Sequence, residues 1–247
     1  MLSPHPPHRV EHPLMFQTWV HLTFLHWSYP PAVLQPLLPP GLELDTFRGR
    51  GWVGLVPFYI HSLRAPLLPS LPYVGSFPET NLRTYVRGPD GEPGVWFFSL
   101  DAARFAAVAA ARFAYGLPYV WSRMRIERKG RRLVYASRRI ASEGSCRVAV
   151  RPGEPIPLKR QTALDLFLTA RFRLFTILFG RLAYAQVEHE AYPLARATLH
   201  ELSQSLTAAA GLPEPKGEAL VHYARRVEVR VGAPHLCLPP LPGAAAA

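Results

Sequence analysis

Apolar and polar positions alternate with a period near two through most of the chain, the spacing of half-buried strands. Phe16–Trp27, rich in Thr, Val, Phe and Trp, reads as a strand, and Trp52–Ile60, apolar on both faces, reads as a second. Asn81–Arg87 alternates cleanly. Leu82, Thr84 and Val86 fall on one side, and Asn81, Arg83, Tyr85 and Arg87 on the other. The turn Gly88-Pro89-Asp90-Gly91 leads to a partner strand at Val95–Phe98. Val120–Arg128 and Arg132–Ile140 pair across Lys129-Gly130, and Arg171–Leu178 and Arg181–His189 across Phe179-Gly180. Cys146–Arg151 and His222–Val231 complete the predicted strands.

A helical period appears in few places. Pro31–Leu38 predicts a short helix with Leu34, Leu37 and Leu38 on one face. The clearest run is Leu100–Ala114. Ser99 is its N-cap, Asp101 lies in its first turn, and Gly116 and Pro118 end it. It is apolar nearly all round, which predicts a buried helix packed on the sheet. Thr162–Ala170 predicts a short helix, and Ala195–Ala209, ended by Gly211 and Pro213, an amphipathic one. About nine or ten strands with two main helices make the class α+β. Closing the antiparallel sheet into a curved, barrel-like form would remove its edges.

Composition agrees with a packed core, since 49% of the 247 residues are apolar and only 18% charged. The 27 prolines and 17 glycines are scattered between apolar runs, which excludes a collagen-like chain and a long helical bundle. One domain over residues 13–237 is expected, with 1–12 and 238–247 as flexible tails. Two distant cysteines, Cys146 and Cys237, give neither a disulfide framework nor a zinc ligand set. The N-terminus has no apolar signal core. No apolar run reaches the roughly 18 residues of a membrane helix. The expectation is a cytoplasmic protein without a membrane partner.

The formal charge is +11, and of the 28 basic residues only Lys129, Lys159 and Lys216 are lysine. Arg123–Arg151 carries ten Arg or Lys against Glu127 and Glu143. Such a stretch could track phosphates, but it lacks the interleaved aromatics of a single-strand platform. A solvated outer sheet face is expected, without nucleic acid as partner.

Literal motifs add little. Gly49-Arg50-Gly51-Trp52-Val53-Gly54 fits G-x-G-x-x-G, but a strand rather than a helix follows, so it reads as a glycine turn and no cofactor is implied. His5, His8 and His12 lie among prolines, and His21 and His26 point to opposite faces of one strand unless it bulges, so no metal site is expected. No nucleophile elbow surrounds Ser145 or Cys146. The informative stretch is Phe77–Val86, where parity puts Glu79, Asn81, Arg83 and Tyr85 on one side. In an open sheet that side is solvent. In a closed one it is the interior, where burying a Glu and an Arg is costly and points to function.

Several segments in order carry a resemblance: Gln17-x-Trp19 with His26-Trp27, Trp52–Phe58, FPETNLRTYV, GVWFFSLDA, Gly116-Leu117-Pro118-Tyr119, LFLTARFRLFT and Leu220-Val221-His222-Tyr223. Over about residues 14–233 the chain resembles the YqjF-like family, a domain of unknown function grouped with the acetoacetate decarboxylase-like superfamily. The resemblance implies a curved, barrel-like sheet around a mostly apolar central cavity. In the decarboxylases the helix ends in a proline followed by two lysines, the first of which forms a Schiff base with a β-keto acid. Here Tyr119 and Val120 take those positions. A family glutamate corresponds to Glu79, and a second acidic position falls on Val56 or Pro57.

The implied protein is a small-molecule-binding barrel without Schiff-base decarboxylation, taking a small carboxylate or carbonyl compound. Its ligand-binding candidates are Glu79, Asn81, Arg83 and Tyr119, with Glu79 as candidate general base. Arg83 would hold an anion or pair with Glu79. Tyr119 shares its strand face with Trp121, Arg123 and Arg125, so its access to the cavity stays open at this point. The alternatives are a structural or interaction protein with a vestigial, packed interior, and a nucleic-acid binder using the Arg123–Arg151 face. Oligomeric state stays open.

Overall fold

A computed structural model describes residues 3–71 and 73–237; the predicted tail 238–247 lies outside the described residues. In chain order the elements are β1 (Met15–Tyr29), α1 (Pro31–Leu34), β2 (Glu43–Leu44), β3 (Gly51–Arg64), β4 (Phe77–Arg87), β5 (Pro93–Ala102), α2 (Phe105–Tyr115) and β6 (Tyr119–Lys129). Then follow β7 (Arg132–Arg139), β8 (Ser145–Pro155), α3 (Ala163–Thr169), β9 (Arg173–Leu178), β10 (Arg181–His189), β11 (Leu194–Gln204), α4 (Leu206–Ala209) and β12 (Leu220–Leu236). The protein is mostly sheet with few helices.

Three routes of strand pairing join β5 to β12. One runs through β4, β3 and β1, a second through β9 and β10, and a third through β6, β7, β8 and β11. The pairs are antiparallel except β5 with β6 and with β9. A large apolar cluster, including Phe24, Phe58, Tyr85, Phe97 and Leu174, fills one part of the interior. A second, around Leu25, Trp27, Leu82, Tyr135 and Val148, fills another. Val10 is buried as well, and its amide donates to Glu188 Oε2 at 2.7 Å.

Two helical expectations are corrected. Ser99 and Asp101 do not start a helix; they belong to β5, which continues to Ala102, and α2 begins only at Phe105. Their partner is distant in sequence. Arg139 on β7 pairs with the Asp101 carboxylate at 2.9 Å and donates to Ser99 Oγ at 2.8 Å. That buried ion pair outweighs the local capping preference of Ser and Asp. Nor is α2 buried all round: Val108 and Tyr115 are buried, while Phe105 and Phe113 are exposed. The predicted amphipathic helix Ala195–Ala209 is instead β11 followed by the single turn α4. Pairing of β11 with β8 decides this, a non-local gain that overrides the helix propensity of Ala and Leu.

The bulge that His21 and His26 would need is present. Register shifts between Val20 and Leu25, and His21 takes φ +54°. The two rings still go to different partners, His21 to Tyr223 Oη and His26 to Tyr85 Oη, each at 2.7 Å. Among the described residues no cluster of His, Cys, Asp or Glu could hold a metal ion. No described helix is long and apolar enough to cross a membrane.

Gly116 fixes the end of α2. Its φ is +62°, and a Cβ there would stand 2.2 Å from the Ile177 carbonyl oxygen on β9. Gly116→Ala is therefore expected to destabilise the fold by at least roughly 1–3 kcal/mol, the cost of a strained left-handed residue alone. A urea midpoint indistinguishable from that of the unsubstituted protein would contradict this.

Candidate functional site

β4 lies between β3 and β5, and its alternation sends Glu79, Asn81 and Arg83 inward together. All three are buried, at 3%, 6% and 7% exposure, and all three line one cavity of about 190 Å³. Much of the rest of the lining is apolar, from residues such as Ile60, Leu63, Phe77, Leu100 and Leu174. The interior is not packed shut.

Tyr119 belongs to the same site. Its hydroxyl donates to Glu79 Oε2 at 2.9 Å, and the ring lines the cavity. Strand parity is no obstacle, because the face that Tyr119 shares with Trp121 is the one α2 adjoins. Tyr119 looks into the cavity, Trp121 meets Phe105 of α2 with ring centroids 5.3 Å apart, and Arg123 and Arg125 beyond are exposed.

The electrostatics are uneven. Burial pushes the Glu79 carboxyl up to about 8; the Tyr119 hydrogen bond opposes this and the Asp101 charge adds to it. Glu79 is thus mostly protonated at neutral pH and titrates close to it, as an acid–base group must. Burial and the Glu79 charge hold the Tyr119 phenol well above its ordinary value.

Three arginines line the cavity. Arg171 pairs with Asp45 at 2.6 Å, and Arg173 with Asp90 at 2.5 Å. Arg83 differs. No described carboxylate lies within ion-pair reach of it, Glu79 included. Its one hydrogen bond is a long one, 3.4 Å, from Nη2 to the Leu168 carbonyl, and its Nε has no partner. The neighbouring Asn81 Oδ1 is also unpartnered.

The sequence reading missed Gln17, Arg171, Arg173 and the alanines of α2 as cavity-lining residues. The period-two spacing of Arg171 and Arg173 in LTARFRLFT was the available signal, but only its closure against β5 and β10 shows where they point. The three lysines stand apart: Lys129, Lys159 and Lys216 are all exposed, and none lines the cavity.

The architecture is that of the acetoacetate decarboxylase-like fold. A structure described as the enduracididine biosynthesis enzyme MppR complexed with pyruvate superposes with a TM-score of 0.68 at 14% identity, covering 94% of each chain. Acetoacetate decarboxylase from Legionella pneumophila gives 0.64 at 14% identity, covering 96% of this chain and 90% of the other. Within that fold the chain belongs to the DUF2071 family of uncharacterized conserved proteins, whose model matches residues 16–228. It is 38% identical over 217 residues to the uncharacterized protein YqjF of Bacillus subtilis strain 168, covering 87% of this chain and 89% of that one.

Proposed function

We propose that the strand ring is a barrel-like container for a small carboxylate or carbonyl compound. Arg83 and Asn81 hold the ligand oxygens, while Glu79 and Tyr119 form a proton-exchanging pair beside them. The observation that carries this reading is Arg83, a guanidinium buried at an apolar cavity with no carboxylate partner. Burying an uncompensated charge is strongly unfavourable for the free protein, and a ligand anion supplies the compensation. A neighbour of the same fold, described as complexed with pyruvate, takes a small carboxylate. We further propose that no Schiff base is used. A lysine amine needs a dry site to lose its proton, and the three lysines here are exposed.

Calorimetric titration with small carboxylates and their matched amides tests the first part. Carboxylates should bind and amides should not, and Arg83→Met should weaken carboxylate binding by about 10- to 150-fold, the equivalent of a hydrogen bond to a charged group. Equal binding by Arg83→Met, or no carboxylate binding by the unsubstituted protein, would sink it. Borohydride with keto acids tests the second part. No adduct is expected, and an adduct at Lys129, Lys159 or Lys216 that vanishes when that lysine is replaced would restore a Schiff-base enzyme.

A further inference from the structure

The charged groups of the cavity are on β4 and at Arg171 and Arg173, with Gln17, Tyr115, Tyr119 and Tyr192 as further polar groups, and most of the remaining lining is apolar. α2 contributes an unusual surface to that remainder. Ala107, Ala110, Ala111 and Ala114 stand three and four residues apart, so they form one stripe, and all four line the cavity. A helix packed on a sheet ordinarily presents Leu, Ile or Phe there. Here the stripe is made of methyl groups only. Ala107 and Ala111 are half-buried, and Ala110 and Ala114 are exposed at the mouth. Of the larger buried side chains of α2, Val108 does not line the cavity, and Tyr115 lines it at the end of the stripe with its hydroxyl donated to the Gly232 carbonyl at 3.1 Å. The width between α2 and the β4 wall is thus set by the smallest side chains that keep a helix stable.

We infer that the acid taken by this cavity carries an uncharged apolar body, about one ring or a chain of roughly six to eight carbons, lying along the alanine stripe of α2. This rests on the carboxylate reading above and narrows it. The size follows from volume. An apolar cavity of about 150 Å³ admits benzene, and this one is about 190 Å³. A ring or short chain fits with its carboxylate on Arg83, whereas a nucleotide does not fit inside. The character follows from the lining. An acid as small and polar as pyruvate would reach Arg83 and Asn81 but leave Leu63, Leu174 and the stripe without contact. The other two arginines of the lining are already paired, Arg171 with Asp45 and Arg173 with Asp90, so neither calls for a second charge on the ligand. α2 is then the specificity-determining element, and the residue type at positions 107, 110, 111 and 114 sets the longest body accepted.

Straight-chain monocarboxylates from acetate to octanoate, with phenylacetate beside them, make the test, titrated into the unsubstituted protein and three variants. Affinity should rise about four-fold with each methylene buried and level off near the long end. Ala111→Leu should cut octanoate and phenylacetate binding at least ten-fold while leaving acetate within two-fold, which also reports that the variant is folded. Ala110→Leu, at the exposed mouth, is the substitute if Ala111→Leu does not fold. Arg83→Met should weaken every acid by a similar factor. An affinity that is flat along the series but still lost in Arg83→Met overturns the apolar body and keeps the carboxylate reading. Affinities in Arg83→Met that equal those of the unsubstituted protein, with the rise along the series kept, overturn the carboxylate reading and keep the apolar body. Acetate weakened as much as octanoate by Ala111→Leu, or no binding of any acid, overturns the inference.

Discussion

Glu79→Gln is expected to stabilise the protein at pH 8 by several kcal/mol and to remove most of its loss of stability toward alkaline pH. The folded carboxyl titrates near 8 against a reference of 4.5, chiefly because it is buried. A group whose folded pKa is raised stabilises fully below the unfolded value. That contribution is lost as pH rises through the folded value. Between the two, stability falls by about 1.4 kcal/mol per pH unit, so the whole window amounts to roughly 5 kcal/mol. In a chain of this length that is a melting shift on the order of 10 °C. Gln keeps the acceptor for the Tyr119 hydroxyl and has no proton to lose.

The histidine contribution, which overlaps this window below pH 6.5, should be the same in both proteins and cancel in their difference. Burial depresses His189 to about 4, and lowers His26 and His222 as well. Their contribution is present above the ordinary histidine value and is lost as pH falls through the folded values. Thermal melts of both proteins from pH 4 to 9 isolate the Glu79 contribution as their difference, which should grow from about pH 4.5 to about 8. Parallel curves for Glu79→Gln and the unsubstituted protein would show that Glu79 is not held protonated.

The second large effect is Asp45→Asn. Asp45 is buried, and its carboxylate takes Arg171 Nη1 at 2.6 Å and Arg87 Nε at 3.1 Å. Arg171 is enclosed, with a side chain only 2% exposed and its guanidinium 4.4 Å from the Phe167 ring centre. Arg87 is 45% exposed, so water screens it and it contributes little. Removing the carboxylate leaves Arg171 buried without a counter-charge, a change that typically costs about 3–5 kcal/mol. Asp45→Asn should therefore lower the urea midpoint sharply. Asp45→Asn with Arg171→Met should recover most of the loss, because the orphaned charge is gone. Arg87→Gln should stay within about 0.5 kcal/mol of the unsubstituted protein. A double variant no more stable than Asp45→Asn would refute the account.

Local pattern carried the sheet further than it carried the helices. The turns at Gly88–Gly91, Lys129-Gly130 and Phe179-Gly180 were legible because turn residues interrupt period-two runs, and each joins the strands expected of it. Parity on β4 brought Glu79, Asn81 and Arg83 to one side, although it could not say whether that side met water or an interior. Only closure of the strand pairings decides that. The resemblance supplied Tyr119, which parity alone argued against. What stayed illegible depended on partners far along the chain. Ser99 and Asp101 look like a helix cap until Arg139 is brought beside them. Residues 195–204 are good helix formers until β8 offers them a ladder. Asp45, in a short stretch between α1 and β3, gave no sign of holding two arginines.

The position of β4 between two hydrogen-bonded neighbours has a consequence for how such a protein can diverge. Glu79, Asn81 and Arg83 sit on a strand that cannot shift without breaking two ladders. The alanines sit on a helix that buries only two of its residues. Under the proposed reading, recognition of the head of a ligand and tolerance of its tail would be carried by separate pieces of backbone. A descendant of this chain could then trade one tail for another by exchanging single methyl groups on α2, while the strand kept its chemical grip.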